Sequence, residues 1–473
     1  MKLKIFNTHM EVSPYIKEDL PALEKMFTAL DRFSQKDFAC AYMIMNNTLY
    51  IPKGTPFQRF RSAFDSVEEV KENDPFEKMS TEFESLYPPR NELQEKSINF
   101  LCSGETQLGL NLATGFGKTF CVAYAVTKLK EKTIIITPNE SLKTQWIKTF
   151  SEMFSYRPKN LMNISGSNIM TEIMDGTIPP YADIYFVNHQ TLRSYMTSFG
   201  GFALHEFFKK IKVGIKVYDE SHMEFANILL IDFFTNTKTT YYLTATFDRS
   251  DKSESACFQK AFKSVETFGE HESVEATNKH VIYHVVNINS RASYKEKLKI
   301  TGWQGMTTAS YATYAFFTDK NETTYRTIKT IIEKIKDIEG KIMIFVGLID
   351  AVDLVASKLK RDFPDKSIGV FHSKVSKEEK ESAVKKDIIV TTVKSCGTGK
   401  DIKGLRAVIC AEELASKITA KQIIGRLRPY EDKETYYFDI VNICVPSVTY
   451  WFRARFKTIN QLVKKVIYLN IDQ

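Results

Sequence analysis

The chain has 473 residues, of which 43% are hydrophobic and 26% charged, and its formal net charge is +8. This length exceeds what one hydrophobic core supports, so two or three domains are expected, and the modest basic excess permits polyanion binding without requiring it. No apolar run approaches the ~20 residues that cross a bilayer, and the N-terminus lacks a signal-like apolar segment, so we expect a cytoplasmic protein without a membrane partner. Seven scattered cysteines without a C-x-x-C pair argue for reduced thiols and against a disulfide framework or a zinc site.

Residues 1–64 predict a small accessory domain that mixes helix and strand. Apolar residues recur at helical spacing between 21 and 33, which predicts a helix. The stretch AYMIMNNTLYIPKG (41–54) places two apolar runs around Asn46–Asn47 and predicts a β-hairpin. The acidic, core-poor stretch that follows predicts a solvated helix or a linker, and we assign residues 65–87 to this linker.

From residue 88 onwards, short apolar strands alternate with helical stretches. This alternation predicts an α/β fold in which two successive domains each have a parallel sheet covered by helices on both faces. We place these domains at 88–270 and 271–473. The predicted strands cover residues 133–137, 183–188, 214–219, 240–246, 341–347, 368–373, 387–392, 406–413 and 435–442.

The segment LATGFGKTF (112–120) is the strongest local signal. Its glycines let backbone amides approach a phosphate, its lysine would reach the β- and γ-phosphates of ATP, and its threonine hydroxyl would bind Mg²⁺. The next segment is helical, so the positive end of a helix would face the anion. The T-G-x-G-K-T form fits, whereas the longer phosphate-loop form requires glycine where Leu112 stands; a glycine turn before an ordinary helix is the alternative. The candidate ATP-binding residues of this loop are Thr114, Gly115, Gly117, Lys118 and Thr119.

An acidic pair ends the predicted strand 214–219. Asp219 would hold Mg²⁺, and Glu220 would position and polarise the attacking water. Alone, such a pair is commonly the polar start of a loop. Downstream of a phosphate loop, at a strand end where nucleotide crevices form, it favours a catalytic interpretation.

Taken in this order, the motifs resemble those of superfamily 2 helicases of the DExH type. The segment RNELQEKSINF, with Gln94, looks like the family's adenine-reading segment. The other matching segments of the first domain are TPNESLKTQW (137–146, motif Ia), NHQTL (188–192, motif Ib), DESH (219–222, motif II) and TAT (244–246, motif III).

The second domain resembles the later motifs of the same family. Motif V matches with Gly399 and Asp401, and motif VI matches QIIGRLRP (422–429) with Arg426 as the arginine finger. The second arginine, Arg428, comes one residue earlier than in the family pattern, where this chain has Pro429. The resemblance implies two tandem RecA-like domains, with ATP and Mg²⁺ bound between them.

The nearest likeness is to UvsW-type phage helicases and XPB-like helicases. It implies a host-cytoplasmic phage enzyme of DNA recombination, repair and replication that remodels branched DNA by fork regression, branch migration and unwinding. DNA is the implied partner and RNA the alternative. The small leading domain would help to grip DNA, and a monomer is compatible with the sequence. Five residues are candidate contacts to the nucleic-acid strand, and for each the alternative is a plain surface charge: Lys143, His189, Arg193, Lys394 and Lys403.

Two other functions remain open. A motor of the same fold could move along duplex DNA or RNA without separating strands, or a decayed ATPase could serve as a nucleic-acid-binding module. The intact motif residues argue against the second of these. The acid-free run 449–469, which includes Arg453, Arg455 and Lys457, predicts either a nucleic-acid contact or an amphipathic helix that covers the second domain.

Overall fold

The computed structural model describes residues 1–30, 37–55, 65–70, 76–80, 82–112, 116–244, 252–269, 279–291, 307–396, 402–414, 417–429 and 433–471. The chain divides into two compact units, Met1–Glu272 and Ser273–Gln473. Among the described residues, the helices are too short or too polar to span a bilayer.

The first unit begins with a five-stranded sheet in the order β5-β6-β2-β1-β7. The predicted hairpin is confirmed, because β5 and β6 pair antiparallel around Asn46 and Asn47, whose φ angles are 50° and 60°. Asparagine tolerates this left-handed conformation, which a tight two-residue hairpin turn requires. The strands are β1 (Lys2–Ile5), β2 (His9–Ser13), β5 (Met43–Met45), β6 (Thr48–Pro52) and β7 (Ser66–Glu69).

Two local predictions in this region were wrong in extent. Helix α1 (Leu20–Phe27) is shorter than predicted, because the chain becomes extended at Thr28 and continues as β3 (Thr28–Leu30), which pairs with β4 (Asp37–Cys40). Residues Ser66–Glu69 lie in the predicted linker but form β7, an exposed edge strand parallel to β1. Its acidic composition suits an edge strand, since exposed charge discourages pairing with other chains.

The N-terminal sheet shares one apolar core with the parallel sheet that follows. Met10 and Ile51 are fully buried in the same cluster as Phe233, and the Tyr50 and Phe233 rings lie 6.3 Å apart. The Thr8 hydroxyl also donates to the Thr235 carbonyl at 2.6 Å. The N-terminal sheet is therefore built into the first unit.

The main sheet of the first unit has seven parallel strands in the order β10-β11-β9-β12-β13-β8-β14. Its strands are β8 (Gln107–Asn111), β9 (Thr133–Thr137), β10 (Leu161–Ile164), β11 (Ile184–Asn188), β12 (Ile215–Tyr218), β13 (Thr239–Thr244) and β14 (Glu266–Phe268). The helices are α2 (Glu92–Leu101), α3 (Lys118–Leu129), α4 (Glu140–Met153), α5 (Ser167–Asp175), α6 (His189–Phe199), α7 (Gly201–Ile211), α8 (Phe225–Phe233) and α9 (Lys252–Ala261).

The second unit has its own seven-stranded parallel sheet, in the order β17-β18-β16-β19-β20-β15-β21. Its strands are β15 (Val281–Ile288), β16 (Lys341–Phe345), β17 (Ile368–Phe371), β18 (Ile388–Thr391), β19 (Leu405–Cys410), β20 (Thr435–Asn442) and β21 (Lys465–Ile471). The helices are α10 (Thr308–Thr313), which continues into a π-helix (Tyr314–Thr318), α11 (Thr323–Lys334), α12 (Ile349–Asp362), α13 (Lys377–Ala383), α14 (Val393–Cys396), α15 (Lys417–Ile424) and α16 (Pro446–Ile459).

These sheets confirm the predicted fold class of two parallel-sheet α/β domains preceded by a small mixed sheet. Each of the nine predicted strands overlaps an observed strand. The acid-free C-terminal run forms helix α16 and edge strand β21. Arg455 of α16 points into the core, where its guanidinium binds Asp439 and Glu413, so this side chain is unavailable for the nucleic-acid contact that the run allowed.

Candidate nucleotide-binding site

The phosphate-loop segment connects β8 to α3, and the helix begins at Lys118. Gly117 has a φ of +97°, a conformation that glycine adopts without strain. The buried Lys118 ammonium donates to the Leu112 carbonyl at 2.8 Å, so the two ends of the loop are joined. The predicted loop residues Thr114 and Gly115 lie outside the described residues.

Gln94 ties helix α2 to this loop. Its Nε2 donates to the Phe116 carbonyl at 2.8 Å, its Oε1 accepts from the Arg90 backbone at 2.8 Å, and the side chain is fully buried. A Cβ at Gly117 would lie 2.7 Å from Gln94 Nε2, which real Cβ contacts do not tolerate. Glycine is therefore favoured at 117 by its backbone conformation, and a larger residue there would also displace the Gln94 side-chain amide.

The acidic pair lies directly after β12, at the carboxyl edge of the sheet. Asp219 is buried, its Oδ2 accepts from Trp146 Nε1 at 2.8 Å, and its Oδ1 accepts from the Glu220 backbone at 3.0 Å. Burial, together with the negative charge of Glu220, raises the pKa of Asp219 to about 6, while the Trp146 hydrogen bond and the positive charge of Lys118 act in the opposite direction. A buried carboxylate in this setting favours a neighbouring cation.

The segments predicted as motifs II and III are joined by a short polar contact. His222 Nδ1 lies 3.0 Å from the Thr244 hydroxyl and 3.3 Å from Glu220 Oε2. The backbone of Ser221 donates to the Leu243 carbonyl at 2.8 Å. A change in the position of Thr244, at the end of β13, would therefore reach Glu220 through His222.

The segments predicted as motifs Ia and Ib are joined by their own side chains. The Thr137 hydroxyl donates to Asn188 Oδ1 at 2.8 Å, and Asn188 Nδ2 donates to Glu140 at 3.0 Å. Glu140 also pairs with Lys143 at 2.9 Å, and the Lys143 side chain is fully buried. Lys143 was predicted to contact nucleic acid; its side chain is buried and ion-paired in this structure, and the contact stays a prediction.

His189, also predicted to contact nucleic acid, is likewise buried. It is only 1% exposed, its ring stacks on Tyr218 with centroids 5.7 Å apart, and its two ring nitrogens lack hydrogen-bond partners among the described residues. Burial lowers the pKa of His189 to about 3. The predicted contact Arg193, in contrast, is exposed on α6, and its role stays a prediction.

Replacing His189 with phenylalanine should make the first unit less sensitive to acid. The folded protein keeps His189 neutral, whereas the unfolded chain protonates it near its ordinary pKa, so wild-type stability is lost as the pH falls below about 6.5. Between about pH 7 and about pH 5.5 the wild type should lose roughly 1 kcal/mol more than His189→Phe. Urea denaturation of both proteins at the two pH values measures this difference. Equal losses would contradict the conclusion that burial keeps His189 neutral in the folded protein.

In the second unit, the candidate motif VI residues follow helix α15. Arg426 is buried, and half-buried Arg428 donates from Nη1 to the Gly425 carbonyl at 2.8 Å. Lys394 and Lys403 are exposed, and their predicted contacts with a nucleic-acid strand remain predictions. Gly399 and Asp401 lie outside the described residues.

Sequence reasoning missed the role of Trp146. Its indole N–H donates to Asp219 and connects the segment predicted as motif Ia with that predicted as motif II, within the apolar core of the first unit. A tryptophan ending the segment LKTQW gave a signal, because a buried indole N–H usually requires an acceptor. What the sequence lacked was the identity of that acceptor.

Comparison with known proteins supports this architecture. Residues 83–249 match the family described as "Type III restriction enzyme, res subunit". A transcript termination protein A18 of Yaba monkey tumor virus is 26% identical over 346 residues, which is 69% of this chain and 65% of that protein's length. The match thus spans about two thirds of that relative, and the Yaba-like disease virus protein of the same name is covered to 64%.

Two solved structures show the same fold. Dbp5 of S. cerevisiae, bound to RNA and ADP BeF3, superimposes with a TM-score of 0.56 at 14% identity, covering 80% of this chain and 89% of Dbp5. Mss116p, bound to ssRNA and AMP-PNP, gives 0.57 at 16% identity, covering 82% and 75%. The chain therefore shares the fold of these two proteins, with two RecA-like domains.

Proposed function

We propose that this protein is a nucleic-acid-stimulated ATPase that uses ATP hydrolysis to move along and remodel DNA. The observation that carries the proposal is the Lys118–Asp219–Glu220 arrangement. The phosphate loop follows β8 and the acidic pair follows β12, on either side of β13, and the charge of Lys118 acts on the carboxylate of Asp219. The fold and the family match to residues 83–249 support the same activity.

In this proposal each group has one task. Lys118 binds the β- and γ-phosphates, and Glu220 positions the attacking water and receives its proton. Arg426, with Arg428 as a second candidate, neutralises charge that develops on the γ-phosphate. Hydrolysis of this kind depends on positioning and charge neutralisation more than on covalent chemistry.

The residues present fit a magnesium ion. The Thr119 hydroxyl and the buried Asp219 carboxylate are oxygen donors of the type that Mg²⁺ prefers, and a cation beside Asp219 would offset the cost of burying its charge next to Glu220. When bound with ATP, the ion would neutralise phosphate charge. Thr119 and Asp219 are the residues that would hold it.

Replacing Gln94 with alanine should weaken ATP binding. Loss of the 2.8 Å hydrogen bond to Phe116 frees the loop from helix α2 and removes the predicted adenine contact, so we expect KM for ATP to rise about tenfold. Steady-state ATPase kinetics measure the change. Asn99→Ala, at an exposed position of the same helix, is the control; a KM for Gln94→Ala equal to that of this control would disprove the role.

Three finer functions are supported by different observations. The resemblance to UvsW-type and XPB-like helicases supports remodelling of branched DNA. The name of the viral relatives supports release of transcripts from a transcription complex. The match to the restriction-enzyme family supports movement on duplex DNA without strand separation as a third outcome.

A panel of substrates separates these functions. We expect single-stranded or forked DNA to stimulate phosphate release more than intact duplex or RNA, and forked DNA to be unwound with ATP. Displacement of a triplex strand without fork unwinding would favour a duplex translocase. Release of RNA from a stalled elongation complex, with fork DNA untouched, would favour transcript release. Lack of stimulation by every nucleic acid would disprove the proposed function.

A further inference from the structure

A buried cluster of charged and hydroxyl side chains is centred on Asp232 of helix α8. The carboxylate is 2% exposed; Oδ1 accepts from Lys216 Nζ at 2.6 Å and from the Tyr218 hydroxyl at 2.7 Å, and Oδ2 accepts from the Tyr242 hydroxyl at 2.7 Å. These four residues, the Asp232 cluster, are all buried within the apolar core of the first unit.

Each tyrosine of the cluster lies next to a candidate motif. Tyr218, on β12, directly precedes Asp219. Tyr242 lies two residues before Thr244 on the neighbouring strand β13, where it pairs with Tyr218. The two rings stack with centroids 5.6 Å apart, and His189, the first residue of α6, also stacks on Tyr218. One carboxylate therefore holds the strand ends of motifs II and III, and the stack extends to motif Ib.

The N-terminal sheet is bonded to the same cluster by two routes. Lys216 donates to the Thr235 hydroxyl at 2.5 Å, and the Thr235 carbonyl accepts from the Thr8 hydroxyl at 2.6 Å. Gln107 Nε2 donates both to the Tyr242 hydroxyl at 3.2 Å and to the Thr8 carbonyl at 3.3 Å. By either route, three hydrogen bonds connect Thr8, in the turn between β1 and β2, to Asp232.

Stability alone does not explain such a cluster. Taking a lysine and an aspartate out of water costs free energy that their attraction only partly returns, and well-packed apolar side chains in their place are often as stable or more so. What directional hydrogen bonds add is a fixed position for each partner. Both acceptor oxygens of Asp232 are occupied by groups from β12 and β13, so their relative positions are fixed.

We propose that Asp232 is a positioning residue for the ATPase, and that through it the N-terminal sheet forms part of the support for motifs II and III. The inference depends on the proposed ATP hydrolysis. It predicts that loosening the cluster lowers kcat, because the alignment of Asp219 and Glu220 is disturbed. It also predicts that KM for ATP changes little, because the cluster contacts β8 through Gln107, at the end of that strand away from the phosphate loop.

The test removes one hydroxyl at a time and leaves the rings in place. Tyr242→Phe should lower kcat about tenfold, the factor that one hydrogen-bond-sized contribution to the barrier gives, with KM within about twofold of wild type. Tyr241→Phe is the matched control, because it lies on the same strand, is equally buried, and loses a 2.6 Å hydrogen bond to the Leu101 carbonyl on the other face of the sheet. Thermal unfolding of both variants confirms that each is folded.

The N-terminal route has its own matched pair. Thr8→Val removes the 2.6 Å hydrogen bond to Thr235 and should also lower kcat, whereas Thr55→Val removes an equally short and buried hydrogen bond to Pro52 within the N-terminal sheet and should not. Equal kcat values within each matched pair would overturn the positioning role while leaving wild-type ATPase activity intact. Absence of hydrolysis by the wild type would instead disprove the proposed function itself.

Discussion

Replacing Lys118 with alanine is expected to reduce nucleic-acid-stimulated ATP hydrolysis by about 10²- to 10³-fold, as removal of a single preorganised donor does in other enzymes. In the proposed function the ammonium group is the cation that the phosphate loop offers to the nucleotide, and its charge also acts on Asp219. Its hydrogen bond to Leu112 is a modest contribution to the fold, so the variant should remain folded. Phosphate release with saturating single-stranded DNA measures the effect.

Lys128→Ala is the matched control for this experiment. Lys128 lies on the same helix α3, but its side chain is exposed and distant in sequence from the loop. Its turnover should equal that of the wild type. If Lys118→Ala hydrolysed ATP at a rate close to the control's, the phosphate-binding assignment would be wrong, together with the function that depends on it.

Replacing Arg455 with methionine is expected to destabilise the second unit by about 3–5 kcal/mol. The fully buried guanidinium donates to both carboxylate oxygens of Asp439, at 3.0 and 2.8 Å, and to Glu413 at 3.0 Å. Methionine preserves much of the volume but leaves two carboxylates buried without their cation. Urea denaturation of the wild type and the variant gives the free energy of unfolding of the second unit, and the difference is the loss.

The pH dependence of this loss identifies its cause. Burial already raises the pKa of Glu413 to about 7, above its ordinary value, so the folded state binds this proton more tightly than the unfolded state does. Without Arg455 the pKa rises further, and the stability of the variant falls as the pH rises through it. The deficit should therefore be larger at about pH 8 than at about pH 6.

Lys457→Met is the control for a lost positive charge on helix α16. Lys457 lies on the same helix, two residues beyond Arg455, with its side chain exposed to solvent. Its replacement should change stability by no more than about 0.5 kcal/mol. A deficit for Arg455→Met that matched this control, or that was constant with pH, would refute the stranded-carboxylate explanation.

The sequence predicted the parallel sheets well because buried strands of such sheets are continuous apolar runs. TIIIT (133–137) is an example, and β9 has these bounds. Strand β8 (QLGLN), whose burial depends on the strands beside it, was missed, and so was the largely apolar strand β15 (VIYHVVNI). The N-terminal helix ended earlier than predicted because periodicity alone does not locate the point at which the chain turns extended.

The candidate site was predictable in its residue types and only partly in its surroundings. Phosphate loops and acidic pairs are local patterns, so Lys118 and Asp219 could be singled out from spacing alone. The burial of Lys143 and His189 could not, because it depends on residues that tertiary packing brings close: the Ile164 carbonyl lies 3.4 Å from Lys143 Nζ, and Tyr218 stacks on His189. For the same reason Asp232, remote in sequence from the phosphate loop, gave no signal.

The strand order of the second unit has a consequence for how the protein is made. Among the strands of the second unit, β15 emerges first from the ribosome. Its neighbours in the sheet, however, are β20 and β21, the last strands of the unit. Synthesis of the roughly 150 residues between β15 and β20 takes on the order of 10–30 s at cellular rates. Until then VIYHVVNI lacks both of its neighbours, so the nascent chain carries an apolar, aggregation-prone segment that chaperones would be expected to shield. The first unit, whose sheet is complete at β14, can fold during this delay.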